Sequence, residues 1–306
     1  MKKVVVTGAT GIIGISLIKY LIINSIEVLA ICRPKSDKIK NIPKNNLVKI
    51  IECDIDNLSS VSERINEKYD TFFHFAWSGT FGDSRNDVYM QNLNIQYTLD
   101  AVKLANYLGC DTFIGAGSQA EYGIINQDLS SNTLTNPSTG YGIAKYSAGK
   151  LSAIYSKKLN MRHIWVRILS VYGPNDNNYT MIISTINKLL NGERAEFTKA
   201  EQMWDYLYCD DAARALYLIA INGIDQRTYI LGSGVCKSLK EYIRIITNHI
   251  GNGCEVEFGK IPYSENQVMY LCADLLELTK DTGFIPMIDF EEGIQKTIEF
   301  CKSTII

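Results

Sequence analysis

Histidine is scarce here, with three in 306 residues, and the eight cysteines stand singly, with no Cys-x-x-Cys pair and no His/Cys cluster. A metal site needs several such ligands at short spacing, so none is expected. No apolar run approaches the roughly 20 residues that a membrane span requires. Neither sign of charge dominates: 31 Lys and Arg face 33 Asp and Glu, a formal net charge of −2, and no basic run stands out. That argues against nucleic acid as a partner. The first expected strand begins at residue 3, which leaves no room for a leader peptide. Scattered, mostly apolar-flanked cysteines fit a reducing compartment, so a cytoplasmic protein is expected. No repeat or low-complexity segment is visible. At this length the chain can bury a large core and divide into two lobes.

What the sequence does have is concentrated at its start. In KKVVVTGATGIIG (2–14), Val4, Val5 and Val6 form a short apolar run that reads as a strand buried on both faces. Gly8, Thr10, Gly11, Ile12, Ile13 and Gly14 follow, and then the apolar-periodic run ISLIKYLI. Strand, glycine-rich turn and helix make the phosphate-binding corner of a doubly wound α/β (Rossmann) sheet. Gly8 allows the tight turn, Gly11 lets a pyrophosphate meet the backbone at the helix N-terminus, and Gly14 lets helix and strand pack closely. The plainer reading is a turn that only needs small residues; the placement between strand and helix favours a dinucleotide.

The second strand, IEVLAIC, ends at Arg33, where NAD-selective sites carry an acid for the ribose 2′-hydroxyl. An arginine there can pair with a 2′-phosphate, so NADP is the expected cofactor and NAD the alternative; the plainer reading is a surface arginine. The third strand, LVKIIECDI, ends in Asp54-Ile55, which either frames an adenine edge or caps the following polar segment. In the fourth, DTFFHFAW, His74 reads as a packed core imidazole. The segment WSGTFG follows its carboxyl end, where open α/β sheets bind ligands, and offers Ser78 and Thr80 to a substrate. A long helix is expected from about Arg85 to Leu108, with Asn94 facing the sheet.

The fifth strand, TFIGAGS, delivers Ser118 to the same edge, and after a turn-rich loop YGIAK opens another helix. Tyr141 and Lys145 are four apart and share a helix face. A tyrosine with a pKa of about 10 is a poor acid or base at neutral pH, and a nearby ammonium favours its phenolate. Lowering it by three units would take roughly 4 kcal/mol of differential stabilisation. A Tyr–Lys pair on a helix is common by chance; Ser118 on the preceding strand and the glycine turn make chance a poor account.

TGATGIIG, GSQAEYG, YGIAK and RILSVYGP, in this order, resemble the extended short-chain dehydrogenase/reductase family, whose members mostly act on nucleotide sugars. The resemblance implies a catalytic triad of Ser118, Tyr141 and Lys145. It also implies cofactor contacts at Ile12–Ile13, Asp54–Ile55, Phe75–Ala76, Asn94 and Leu169, and substrate contacts at Ser78, Thr80, Ser118, Gln119, Tyr141, Asn178 and Trp204. The sequence departs from that pattern in four places. The Asp-Glu pair of the 4,6-dehydratases is replaced by Gln119 and Ala120, so the acids that expel a C6 hydroxyl are missing. Glu121 occupies a position usually apolar, without an assignable role. Trp204-Asp205-Tyr206 stands where many members have Arg-Asp-Phe, and Trp204 either stacks on a base or sugar or covers the core. Ser170 stands where many epimerases have Asn.

The family resemblance implies hydride transfer between a nicotinamide and a sugar carbon, with Tyr141 moving the proton. Arg33 favours a reductase that consumes NADPH over a 4-epimerase that retains NAD. The C-terminal stretch resembles the 4-ketoreductases of CDP-linked dideoxysugars. A non-catalytic cofactor sensor is the remote alternative, and the presence of both Tyr141 and Lys145 argues against it. A dinucleotide-binding domain is expected over 1–172, rejoined by a strand and a helix from 205–232 with Asp210 or Asp211 as cap. A smaller, discontinuous C-terminal substrate lobe is expected over 173–204 and 233–306. A homodimer through the two helices near Arg85–Leu108 and Tyr141–Leu159 follows from the same resemblance.

Overall fold

Val4, Val5 and Val6 are fully buried because their strand lies inside a parallel sheet covered on both faces. The computed structural model describes residues 1–251 and 253–305. Residues up to 168 supply β1 (Lys3–Thr7), β2 (Glu27–Cys32), β3 (Val48–Glu52), β4 (Thr71–His74), β5 (Thr112–Ser118) and β6 (Arg162–Ile168). The rest adds β7 (Ser170–Tyr172), β8 (Ala195–Glu196), β9 (Met203–Tyr208), β10 (Thr228–Leu231), β11 (Cys236–Ser238), β12 (Val256–Glu257) and β13 (Tyr270–Leu271). The helices are α1 (Ile12–Ile23), α2 (Val61–Arg64), α3 (Val88–Tyr107), α4 (Gly140–Lys158), α5 (Met181–Leu190), α6 (Cys209–Asn222), α7 (Leu239–Ile250), α8 (Leu276–Thr282) and α9 (Phe290–Ile305).

Seven strands form the main sheet in the order β3-β2-β1-β4-β5-β6-β10, all parallel. The first six are in doubly wound order, so the chain reverses direction across the sheet between β1 and β4 and opens a crevice at their carboxyl ends. One core, with residues of α1 and α6, covers one face; another, with residues of α2 and α3, covers the other. His74 is buried in β4, with Nδ1 2.9 Å from Thr7 Oγ1, as a core imidazole should be.

Three expectations are corrected. The long helix starts at Val88, because Asp87 caps it by accepting from the Tyr89 and Met90 amides, and Gly82–Asn86 is a 3₁₀ turn. The strand opening 205–232 does not rejoin the main sheet. Instead β9 is the centre of a small sheet, with β11 antiparallel on one edge, β13 parallel on the other, and β7 also paired parallel to it. The buried Asp205 fixes it there, its carboxylate accepting from the backbone N–H groups of Ser233, Gly234 and Ala273 at 2.7–3.1 Å. Only α6 and β10 return. Tyr208 is the cap residue of α6; Asp211 accepts from the Met287 and Ile288 amides instead, both at 2.8 Å.

Candidate active site

At the crevice, Gly8 has φ +67° and lies so close to β4's exit that a Cβ would come within 2.7 Å of the Phe75–Ala76 backbone. A Cβ on Gly14 would collide with Gly8 O. Gly11, by contrast, is exposed at the N-cap of the 12-residue α1, and no side chain caps that helix. Its first-turn N–H groups therefore remain open to an anion, beside a cleft of about 300 Å³. Thr10 and Gly11 line one part of that cleft and Asp54, Ile55 and Phe75–Ser78 other parts. Arg33, Ser36 and Lys38, after β2, line it too. A dinucleotide fits this chain's residues: an uncapped helix terminus for the pyrophosphate and two exposed cations beyond β2. Asp54 lines the cleft and caps the 3₁₀ turn that follows it, its carboxylate accepting from the Ile55 amide at 3.1 Å.

Ser118, Tyr141 and Lys145 come together at the carboxyl end of β5 and the first turns of α4. The Ser118 side chain acts on the Tyr141 hydroxyl and favours its ionised form. The Lys145 ammonium donates to Ala116 O at 2.6 Å, lies 3.8 Å from the Trp77 ring centroid and 5.8 Å from that of Tyr141. The electrostatics differ from the expectation. Burial pushes the Tyr141 hydroxyl above its usual 10, and the groups that pull it back are Ser118 and Arg85, whose guanidinium sits 4.5 Å over the Tyr141 ring. Burial lowers Lys145 to about 7, opposed by the charge of Glu121.

The loop after β4 is held from α3. Asn94, fully buried, accepts from Ser78 N and donates to Ser78 O, both at 2.9 Å. Gln91, one turn earlier, accepts from Trp77 Nε1 at 2.9 Å and donates to Gly79 O at 2.7 Å. Sequence reasoning placed Asn94 on the inward face of this helix, where it holds the loop and is not part of the cleft lining, and missed Gln91, Trp77 and Arg85. The available signal was a second polar residue three positions from Asn94 on a helix face that packs inward.

A second pocket of about 460 Å³ lies beyond the cleft, with Ile12, Ile13, Thr80, Leu169, Ser170 and Trp204 in its wall. Asp176 also lines it, its pKa raised to about 6 by burial against hydrogen bonds from the Asn177 amide and Thr180 hydroxyl. Asn178, expected here, is exposed; Asn177 lines the pocket and accepts from Lys38 Nζ at 2.6 Å. The Phe81 and Tyr179 rings stack across the mouth with centroids 4.1 Å apart. Gln119 is half-buried in the 3₁₀ turn that follows Ser118. Trp204 is half-buried, packing against two hydrophobic cores while it lines the pocket.

The model of the NAD dependent epimerase/dehydratase family matches residues 4–232. The chain belongs to that family. Among its relatives within the epimerase/dehydratase family is a Methanocaldococcus jannaschii protein provisionally named a UDP-glucose 4-epimerase, 27% identical over 98% of both chains. CDP-abequose synthase of Salmonella typhimurium is 26% identical over 97% of both. The crystal structure of UDP-glucose 4-epimerase from Thermotoga maritima with UDP-glucose superposes with a TM-score of 0.90 at 23% identity, covering 99% of this chain and 100% of that one. The shared fold is thus the doubly wound one that the first strand and glycine turn imply.

Proposed function

We propose that this family member is an NADPH-dependent ketoreductase acting on the 4-keto group of a nucleotide-linked 6-deoxy sugar. The observation that carries the reading is Arg33 at the end of β2, lining the cleft with Ser36 and Lys38 where an NAD-selective site would carry an acid. Full-length similarity to CDP-abequose synthase supports the substrate class. The 27% identity to the protein provisionally named a UDP-glucose 4-epimerase favours a second reading, a 4-epimerase that retains NAD.

In the reductase, Gly8, Gly11 and the first turn of α1 would hold the pyrophosphate, Asp54 and Ile55 the adenosine, and Arg33 and Lys38 the 2′-phosphate. NADPH bound there supplies the hydride. Ser118 holds the ketone oxygen by a hydrogen bond, and Tyr141 donates the proton that oxygen takes as it becomes a hydroxyl. Lys145, fixed on Ala116 O, brings positive charge that favours the phenolate left on Tyr141. Free buried thiols fit a reducing cytoplasm. Exposed Val88, Tyr89 and Leu93 on α3 and Ile143, Leu151 and Ile154 on α4 support a homodimer through these helices.

Incubation with NADPH and CDP-, UDP-, dTDP- and GDP-linked 4-keto-6-deoxy sugars tests the reading. A product two hydrogens heavier than one of these substrates is expected. Interconversion of 4-epimers without net cofactor consumption would replace this reading with the second.

A further inference from the structure

Glu121 is almost wholly buried beside Ser118 and belongs to no part of the proposed reaction. Its carboxylate accepts from the Ser118 amide at 2.9 Å while Ser118 Oγ accepts from the Ala120 amide at 3.2 Å, a reciprocal cap on the turn that follows β5. The same carboxylate accepts from Trp165 Nε1 at 2.9 Å and Arg167 Nε at 2.7 Å, two buried residues on the same face of β6. Space for this arrangement is built into the backbone. A side chain on Gly115 or Gly149 would strike the Trp165 ring, and one on Gly117 would strike Glu121 and Trp165 together.

A buried ion pair seldom repays its desolvation, and apolar residues of the same volume usually serve stability as well or better. Gly117 makes room for Glu121 itself and Gly115 and Gly149 for its other anchor, Trp165, which points to a task other than stability. We propose that Glu121, anchored by Arg167 and Trp165, is a positioning residue for the Ser118–Tyr141–Lys145 group: it locks the backbone at Ser118 and sets a fixed negative charge beside the group. This rests on the triad reading and not on the choice between reductase and epimerase.

The charged and titratable groups around Lys145 are Tyr141 on its own helix, His74 on β4, Arg85 over the Tyr141 ring, and Glu121 with Arg167 behind it. His74 is neutral, burial holding it at about 3. Arg85 and Arg167 are cations, so Glu121 is the anion that favours a charged Lys145 at neutral pH.

The test compares wild type with Glu121→Gln and with the double variant Glu121→Met/Arg167→Met, which removes both charges together and so avoids leaving Arg167 buried alone. Lys145 is titrated by NMR on protein carrying ¹³C-labelled lysine, without substrate, its signal identified by loss in Lys145→Met. In both variants Lys145 should titrate below its wild-type position, and further below in Glu121→Gln, which keeps the Arg167 cation. Turnover should fall about tenfold or more, with the basic limb of the pH profile shifted the same way. A folded double variant with the wild-type titration and pH profile would overturn the proposal, leaving Glu121 a structural residue. If wild type turns over none of the sugars tried, the proposed function fails, while the titration in substrate-free protein still decides the role of Glu121.

Discussion

Trp204 donates its indole N–H to Ser170 Oγ at 2.8 Å, tying β9 to β7 in the wall of the second pocket. These are two of the four places where the sequence departs from the family pattern, and the two form one unit. The pair sets a fixed aromatic surface where many members present a guanidinium. Ser170→Ala leaves a half-buried indole N–H without its partner, which should cost about 1–3 kcal/mol in denaturant unfolding. It should raise KM for the sugar nucleotide and leave the NADPH dissociation constant unchanged. An unaltered KM would mean that this wall does not meet substrate.

Tyr141→Phe should fold and bind cofactor normally, since only a hydroxyl is lost and the ring keeps its contacts with Trp77 and Arg85. Turnover should fall by about 10²–10⁴, the usual contribution of a positioned proton donor. Near-normal turnover would remove Tyr141 from its role.

Lys145→Met should separate stability from activity. The native pKa of Lys145, about 7, lies below its ordinary 10.5 because of burial. Between those values the unfolded chain holds a proton that the folded chain releases, so the lysine's cost shrinks by about 1.4 kcal/mol per pH unit as pH rises. Below about pH 7 the cost is present in full. The variant should therefore melt higher than wild type at about pH 6, with the gap closing toward about pH 10, and should turn over poorly at every pH. Lower melting throughout would mean that the bond to Ala116 O and the contact with Trp77 outweigh the burial.

Gly11→Val should fold, because Gly11 has an ordinary φ of −79° and a Cβ there would be 3.5 Å from Gly8 O. The branched side chain would stand in the approach to the α1 N-terminus, and titration calorimetry should show dinucleotide binding lost. Unchanged affinity would place the dinucleotide elsewhere.

The phosphate-binding corner, Ser118, Tyr141 and Lys145 were legible in the sequence because each lies in a contiguous stretch whose spacing already carries its geometry. What was not legible depends on partners far along the chain. Arg85 reaches Tyr141 across 56 residues, Lys38 reaches Asn177 across 139, and Glu121 reaches Arg167 across 46. The strand β9 misled because its apolar character suits either sheet. Its position is decided by Asp205, whose partners at 233, 234 and 273 no local pattern announces.

The most direct test of the account is reduction of a 4-keto-6-deoxy nucleotide sugar by wild type and Arg33→Asp with NADPH and NADH. Arg33 is exposed beside the cleft, and a charge-assisted hydrogen bond to a 2′-phosphate is worth about 1.5–3 kcal/mol, or roughly 10- to 150-fold in affinity. Wild type should prefer NADPH, the variant NADH, and the wild-type preference should weaken at high salt. NAD retained through purification at near-full occupancy, with 4-epimers interconverted and neither reduced cofactor consumed, would contradict it.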